Sequence, residues 1–128
     1  MSTIVPTWSA QQTVTMSDSS PADTVTSTGA IDLATNDYDC VLVQISMTFP
    51  ASCADYVDIN IYGSSDGGTT VDSVVLYNRR VDPVSSSTVI ISQIIDGIPW
   101  ARIAVDNECT KEINPLVVEY QGRSWTSS

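Results

Sequence analysis

Histidine is the usual general base of an enzyme, and this chain of 128 residues has none. Nucleophilic catalysis needs a base that takes the proton of a serine or cysteine. A serine activated by lysine would have to use Lys111, the single lysine, which stands beside Glu112 in a polar stretch. That is the setting of a solvated loop charge. Carboxylate pairs for glycoside hydrolysis could be drawn from Asp55, Asp58, Asp72 and Asp82. With 15 acidic residues against 5 basic ones, a charged outer sheet face explains them more simply. Calcium could take oxygen ligands from the turns at Asn36-Asp37, Ser64–Gly68 and Asp96-Gly97 if these share one end of the molecule. The EF-hand pattern is missing, however, and Asp and Asn are the ordinary turn residues. The lack of histidine and of any Cys-x-x-Cys pair argues strongly against zinc. The sequence therefore predicts no catalytic residue, no cofactor site and no metal site.

Recognition chemistry is better represented. Trp100 and Trp125, with Tyr56, Tyr62 and Tyr77, could form an aromatic platform for a glycan. The same amphipathic rings serve equally well at protein interfaces. The candidate interface residues are Ile4, Val5, Trp8, Arg79, Arg80, Trp100 and Trp125.

The elements that must position these residues read as strands. In Asp55–Tyr62, Val57, Ile59 and Ile61 alternate with Tyr56, Asp58, Asn60 and Tyr62, the period of a half-buried strand. Gly63 to Gly68 is a turn, and Val71–Tyr77 is the second strand of a hairpin ending near Arg80. Tyr38–Phe49 is the strongest strand, with Val41, Val43, Ile45, Met47 and Phe49 on one face. Further strands are expected at Gln11–Met16, Thr24–Leu33 with Val25 and Ile31 inward, and Thr88–Ile95 with Val89, Ile91 and Ile94 inward. After an Asp96-Gly97 turn of the hairpin kind come Trp100–Val105 and Leu116–Tyr120. Eight short, evenly spaced strands predict an all-β fold: a single-domain antiparallel β-sandwich or jelly roll. Its expected core is Val43, Ile45, Met47, Val57, Ile59, Ile61, Ile103 and Val105. The predicted organisation is an N-terminal polar arm (1–23), a sandwich domain (24–120) and a C-terminal tail (121–128).

The formal net charge of −10 repels phosphate, so nucleic acid is not an expected partner. No run of apolar residues is long enough for a transmembrane helix, and no membrane partner is expected. Residues 1–6 lack the basic and apolar regions of a signal peptide, which predicts synthesis in a cytoplasm. Three cysteines in that setting predict reduced thiols. Cys40 begins the strongest strand and Cys53 follows its end, which separates them by about 30 Å. Only Cys53–Cys109 is a topologically possible pair.

Three runs carry a family resemblance: DYVDINIYGSSD at Asp55–Asp66, DSVVLYNRR at Asp72–Arg80 and GIPWARIAVDN at Gly97–Asn107. Together they resemble small structural proteins of tailed bacteriophages, with their strand, Gly-Ser-Asp turn, strand, and aromatic-x-Arg strand. Similar turns occur in carbohydrate-binding sandwiches. The phage resemblance implies a capsid decoration (cement) protein, a head fibre or a tail component, with no catalytic residue to carry over. It implies a virion protein assembled in the host cytoplasm. The implied partners are copies of itself, a trimer being favoured, and a major capsid or other virion protein. A glycan ligand is the alternative. The two polar ends, anchored by Ile4, Val5, Trp8 and Trp125, are expected to be held by such partners, because neither end has enough apolar residues to order itself.

Overall fold

A computed structural model describes residues 4–14, 19–22, 24–67, 69–72 and 75–127. The expectations at Met16, Gly68, Ser73, Val74 and Ser128 lie outside the described residues.

The described residues form ten strands and no helix. These are β1 (Ile4–Trp8), β2 (Gln12–Thr13), β3 (Thr24–Ser27), β4 (Ile31–Asp32), β5 (Cys40–Thr48), β6 (Val57–Ser64), β7 (Tyr77–Val81), β8 (Thr88–Asp96), β9 (Trp100–Asn107) and β10 (Leu116–Ser127). The first sheet runs β1-β10-β5-β8, with β2 also on β10; the second runs β3-β9-β6-β7, with β4 also on β9. Every pairing is antiparallel. The short β2 continues the edge begun by β1, and β4 continues that of β3. Counting each interrupted edge once leaves the expected eight strands, in the alternating two-sheet order of a jelly roll.

The period-two reading places the core correctly. Val43, Ile45, Met47, Val57, Ile59, Ile61, Ile103 and Val105 are all buried between the sheets, joined by Val41, Phe49, Ile95, Leu116 and Val118. β-Branched side chains suit this role because they pack well on a pleated surface with little rotamer freedom to lose.

Several boundaries differ from the sequence reading. The Thr24–Leu33 strand is broken at Thr28, whose hydroxyl accepts the Ile103 N–H at 3.0 Å in place of a ladder carbonyl. Val25 faces out, opposite Asp106 on the outer side of the second sheet, while Ile31 is buried as expected. In β8 the inward set is Ile91 and Ile95, and Ile94 points to solvent. Strict alternation from Val89 and Ile91 leads to Ile95 and excludes Ile94.

Gly97 does adopt the positive φ of a turn, at 73°. However, β8 and β9 lie in different sheets, so the Asp96-Gly97 turn carries the chain across the sandwich rather than closing a hairpin. The β6–β7 connection is a hairpin. Its regular second strand begins only at Tyr77. Before that, Asp66 Oδ1 accepts the Thr70 N–H at 2.8 Å, and Ser64 Oγ donates to the Thr70 carbonyl at 2.7 Å, closing a compact loop.

The ends of the chain show the largest correction. The last strand does not stop at Tyr120; residues 121–127 continue β10. Their partner is the amino-terminal segment, with Ile4 opposite Ser127 and Trp8 opposite Arg123. The backbone ladder of each end satisfies the other, so no second molecule is needed to order them.

Candidate interaction surfaces

Register and alternation fix which side chains each sheet shows to solvent. Residues of β5, β8 and β10 that oppose one another on the outer side of the first sheet include Leu42, Ile94 and Gln121. The same rows hold Gln44, Ser92 and Glu119, and then Ser46, Ile90 and Val117. Ile90 is 58% exposed and Ile94 43%. Across these rows Glu119 is the one charged side chain. On a molecule of net charge −10, such a face is depleted of charge in the way interface cores are.

At one margin of this face lies an aromatic and ionic cluster. Trp8 and Arg123 are directly opposed across β1 and β10, and Trp125 stands two residues further along β10. The Arg123 guanidinium donates two hydrogen bonds to Asp39, at 3.1 and 2.7 Å, and Trp125 Nε1 donates a third at 3.0 Å. Arg123 Cζ also lies 5.7 Å from the Trp8 ring and 5.3 Å from the Trp125 ring, within cation–π reach. The bonds from Arg123 and then Trp125 hold the Asp39 carboxyl well below the usual carboxylate range. Asp39 in turn pushes the Arg123 pKa up. The pair neutralises itself, and Asp96, opposite Cys40 in the same row, leaves the margin one negative charge beside its aromatic surface. Trp8 and Trp125 remain 42% and 51% exposed. Ile4 and Val5 are exposed on the same edge strand. Arg123 and Asp39 were not among the sequence candidates. The signal was available in Arg123 two residues before Trp125, but reading 121–128 as a tail hid it.

The outer side of the second sheet is different in kind. Asp58 opposes both Asp106 and Arg80, Tyr62 opposes Arg102, and Ser64 opposes Trp100. Arg80 makes a 3.5 Å ion pair with Asp58, and its Cζ sits 3.6 Å over the Tyr56 ring. Asn78 Nδ2 donates to Asn60 Oδ1 at 2.6 Å. This face is charged but nearly balanced, with Asp58 and Asp106 countered by Arg80 and Arg102. Tyr62 and Trp100 are half-buried diagonal neighbours on this face.

The five aromatics of the supposed platform are therefore not brought together. Trp125 lies on the first sheet, and Tyr56, Tyr62 and Trp100 on the second. Tyr77 points between the sheets, where with Arg79, Ile91 and Gln93 it lines a small apolar cleft between β7 and β8. Arg79 bridges the sheets there, Nη1 donating to the Ser92 carbonyl of β8 at 3.1 Å.

One end of the sandwich is tied by covalent and buried polar contacts. Cys53, after β5, and Cys109, after β9, form a disulfide with Cα atoms 5.9 Å apart. This corrects the expectation of three reduced thiols: the pair that topology allows is bonded, because the two loops meet at the same end. Cys40 is free and buried, and burial pushes its thiol pKa up. Asn107 is fully buried beside the disulfide. Its Nδ2 lies 3.0 to 3.1 Å from the carbonyls of Ser20, Pro21 and Lys111, and its Oδ1 accepts the Cys109 N–H at 2.9 Å. Ser20 and Ile113 exchange backbone bonds of 2.9 Å alongside.

The acidic turns that suggested calcium have local work instead. The Asp66 carboxylate is bonded within its own loop, and Asp32 Oδ1 accepts the Thr35 N–H at 2.9 Å. These bonds lower both carboxyl pKa values. No group of three or more His, Cys, Asp or Glu side chains that could hold a metal occurs among the described residues. Lys111 Nζ donates to the Ala51 carbonyl at 3.0 Å, which makes it a loop tie.

No family model matches the chain, and no curated protein matches it. Among solved structures, a Bacillus endospore appendage, described as belonging to a family of disulfide-linked pili, is similar over 97% of this chain and 91% of that one. The identity is 12% and the TM-score 0.43. A likeness of that degree decides nothing about function.

Proposed function

We propose that this chain is a non-enzymatic structural protein of a virus particle, a capsid decoration (cement) protein that binds the outside of a tailed-phage head and stabilises it. The observation that carries the assembly part of this reading is the charge-poor outer side of the first sheet. Three consecutive cross-strand rows that hold a single charged side chain, on a chain of net charge −10, form a patch on which a partner can dock with little desolvation of ions. Trp8 and Trp125 at the margin supply the large aromatic anchors that dominate interface energetics. The second sheet, with Asp58, Asp106 and Asp32 outward, would then face solvent and keep a densely coated particle soluble. The assignment to a phage head rests on the resemblance carried by Asp55–Asp66, Asp72–Arg80 and Gly97–Asn107. The proposed partners are copies of the chain and a shell protein, and the proposed location is the virion.

The test is co-sedimentation of the purified chain with phage heads from its source that have been stripped of accessory proteins. Binding is expected to be saturable and to be lost in Leu42→Glu and Ile94→Glu. Failure to bind heads, with binding to whole tails instead, would move the protein to the tail or to a head fibre. Failure to bind any particle would refute the reading. The second reading, a glycan-binding module, is favoured by the Tyr62–Trp100 pair beside Asn60 and Arg102. It predicts saturable sugar binding lost in Trp100→Ala.

A further inference from the structure

The fold has four sheet edges among the described residues, and three of them are blunted. β1 contains Pro6, which has no N–H to offer. β3 and β4 are four and two residues long. β7 has five residues, with Arg79 and Arg80 among them. Short strands, proline and charge are the usual guards against edge-to-edge pairing. β8 is nine residues long, has no proline and carries no charge of its own before Asp96; two carbonyls on its edge, those of Ser92 and Ile94, accept side-chain bonds from Arg79 at 3.1 Å and Gln93 at 3.0 Å.

The direction of its backbone groups can be worked out. The Phe49 N–H donates to the Ser87 carbonyl at 2.9 Å, which sets the bonded positions of the β5–β8 ladder at 87, 89, 91, 93 and 95. In an antiparallel ladder each residue sends its N–H and C=O to the same side. Thr88, Ile90, Ser92, Ile94 and Asp96 therefore direct theirs to the open edge. The bond from Arg79 to the Ser92 carbonyl, at 3.1 Å and from outside the sheet, agrees with this. The side chains of the same residues lie on the charge-poor outer face.

We propose that two copies of this chain pair through β8, antiparallel about a two-fold axis at Ser92, so that their first sheets become one continuous sheet. The proposal rests on the reading of the chain as an assembly subunit and names the contact. A second copy fits this edge for three reasons. First, no other described edge is as long as β8, so only β8 of another copy satisfies it along its whole length. Second, with Ser92 opposite the partner's Ser92, Ile90 falls opposite the partner's Ile94 and Ile94 opposite the partner's Ile90. All four exposed isoleucines then form bonded cross-strand pairs on one face. Third, each copy carries −10, so a self-contact must keep its carboxylates apart. In this register Asp96 opposes the partner's Thr88, and the two Asp96 residues stand about 27 Å apart at ~3.4 Å per residue, beyond the ~8 Å screening length. Shifting the axis to Ile90 or Ile94 shortens the ladder and breaks the isoleucine pairing. Arg79 on the Ser92 carbonyl and Gln93 on the Ile94 carbonyl need not leave, because a carbonyl oxygen has two lone pairs and can accept a second donor. The pairing also sets the two charge-poor faces side by side, doubling the surface offered to a shell.

Sedimentation equilibrium over a wide concentration range tests the contact on the full chain. The wild type is expected at the mass of two chains. Ser92→Pro removes the central edge N–H and leaves the β5 ladder untouched, since proline is tolerated on the solvent side of an edge strand. Ile90→Lys removes the apolar cross-strand contact with the partner's Ile94 and sets an ammonium in its place. Both are expected at the mass of one chain, with wild-type circular dichroism. In the wild-type background, S92C is expected to cross-link spontaneously on mild oxidation, because the facing Cα atoms would lie about 5.5 Å apart, within disulfide range. I90C alone should not cross-link, whereas I90C combined with I94C should. An oligomer that persists in Ser92→Pro and Ile90→Lys, a three-chain mass, or a dimer in which S92C stays uncross-linked overturns the β8 contact and leaves the assembly reading standing. A wild type that is monomeric at every concentration overturns the β8 contact and self-association with it.

Discussion

Reduction of the Cys53–Cys109 disulfide is the perturbation whose size the structure fixes most directly. The bond joins residues 56 apart in sequence. In the chain-entropy treatment, closing a loop of that length removes about 14 cal/mol/K from the unfolded chain, or about 4 kcal/mol at 25 °C. A domain of 128 residues unfolds with an entropy near 270 cal/mol/K at its midpoint, so the loss corresponds to about 15 °C in Tm. The native geometry should survive reduction, because Asn107, the Ser20–Ile113 bridge and the Lys111–Ala51 tie hold the same loops together. The assay is thermal unfolding followed by circular dichroism, with and without a phosphine reductant, and with the Cys53→Ala/Cys109→Ala variant as a control. Thiol counting in denaturant should return one per chain before reduction and three after. A count of three before reduction, or an unchanged midpoint after complete reduction, would refute the reasoning.

Three other perturbations have defined outcomes. Gly122→Val should destabilise the fold by about 1–3 kcal/mol in chemical denaturation, because a Cβ at that position would land in the Tyr38 ring packed against it. Asn107→Ala should cost about 1–3 kcal/mol, since it orphans the buried Cys109 N–H and takes a donor from the Pro21 and Lys111 carbonyls, while the Ser20 carbonyl keeps the Ile113 N–H; a near-neutral result would mean that solvent reaches the Cys109 N–H. Asp39 has a folded pKa below its unfolded value of about 3.9, so its stabilising effect is complete above that pH and is lost as pH falls below it. Acid titrations of the wild type and of Asp39→Asn should therefore diverge above about pH 4 and converge in strong acid.

The sandwich was legible because its strands are long and alternate strictly. β5, β6 and β9 each bury one complete set of side chains, and a period of two needs no tertiary information to be seen. What stayed hidden depends on contacts distant in sequence. Trp8 and Arg123 are 115 positions apart, and nothing local in either polar end announces that each supplies the other's ladder. The Asp96-Gly97 turn has hairpin chemistry, but chemistry of two residues does not say whether the chain returns along its own sheet or crosses to the other. The disulfide was misjudged because compartment was weighed above geometry. The charge-poor face needed the register: Leu42, Ile94 and Gln121 come from three strands, and only their alignment shows that charge has been kept off one side.

The claim that the first sheet's outer side is the docking surface can be measured by hydroxyl-radical footprinting of the free chain and of the chain on its particle. The account predicts that oxidation of Trp8, Trp125, Leu42, Ile90 and Ile94 falls on binding, while Tyr56, Tyr62 and Trp100 on the second sheet react as before. Protection of Tyr62 and Trp100 with Trp8, Trp125 and Ile94 unchanged would contradict it.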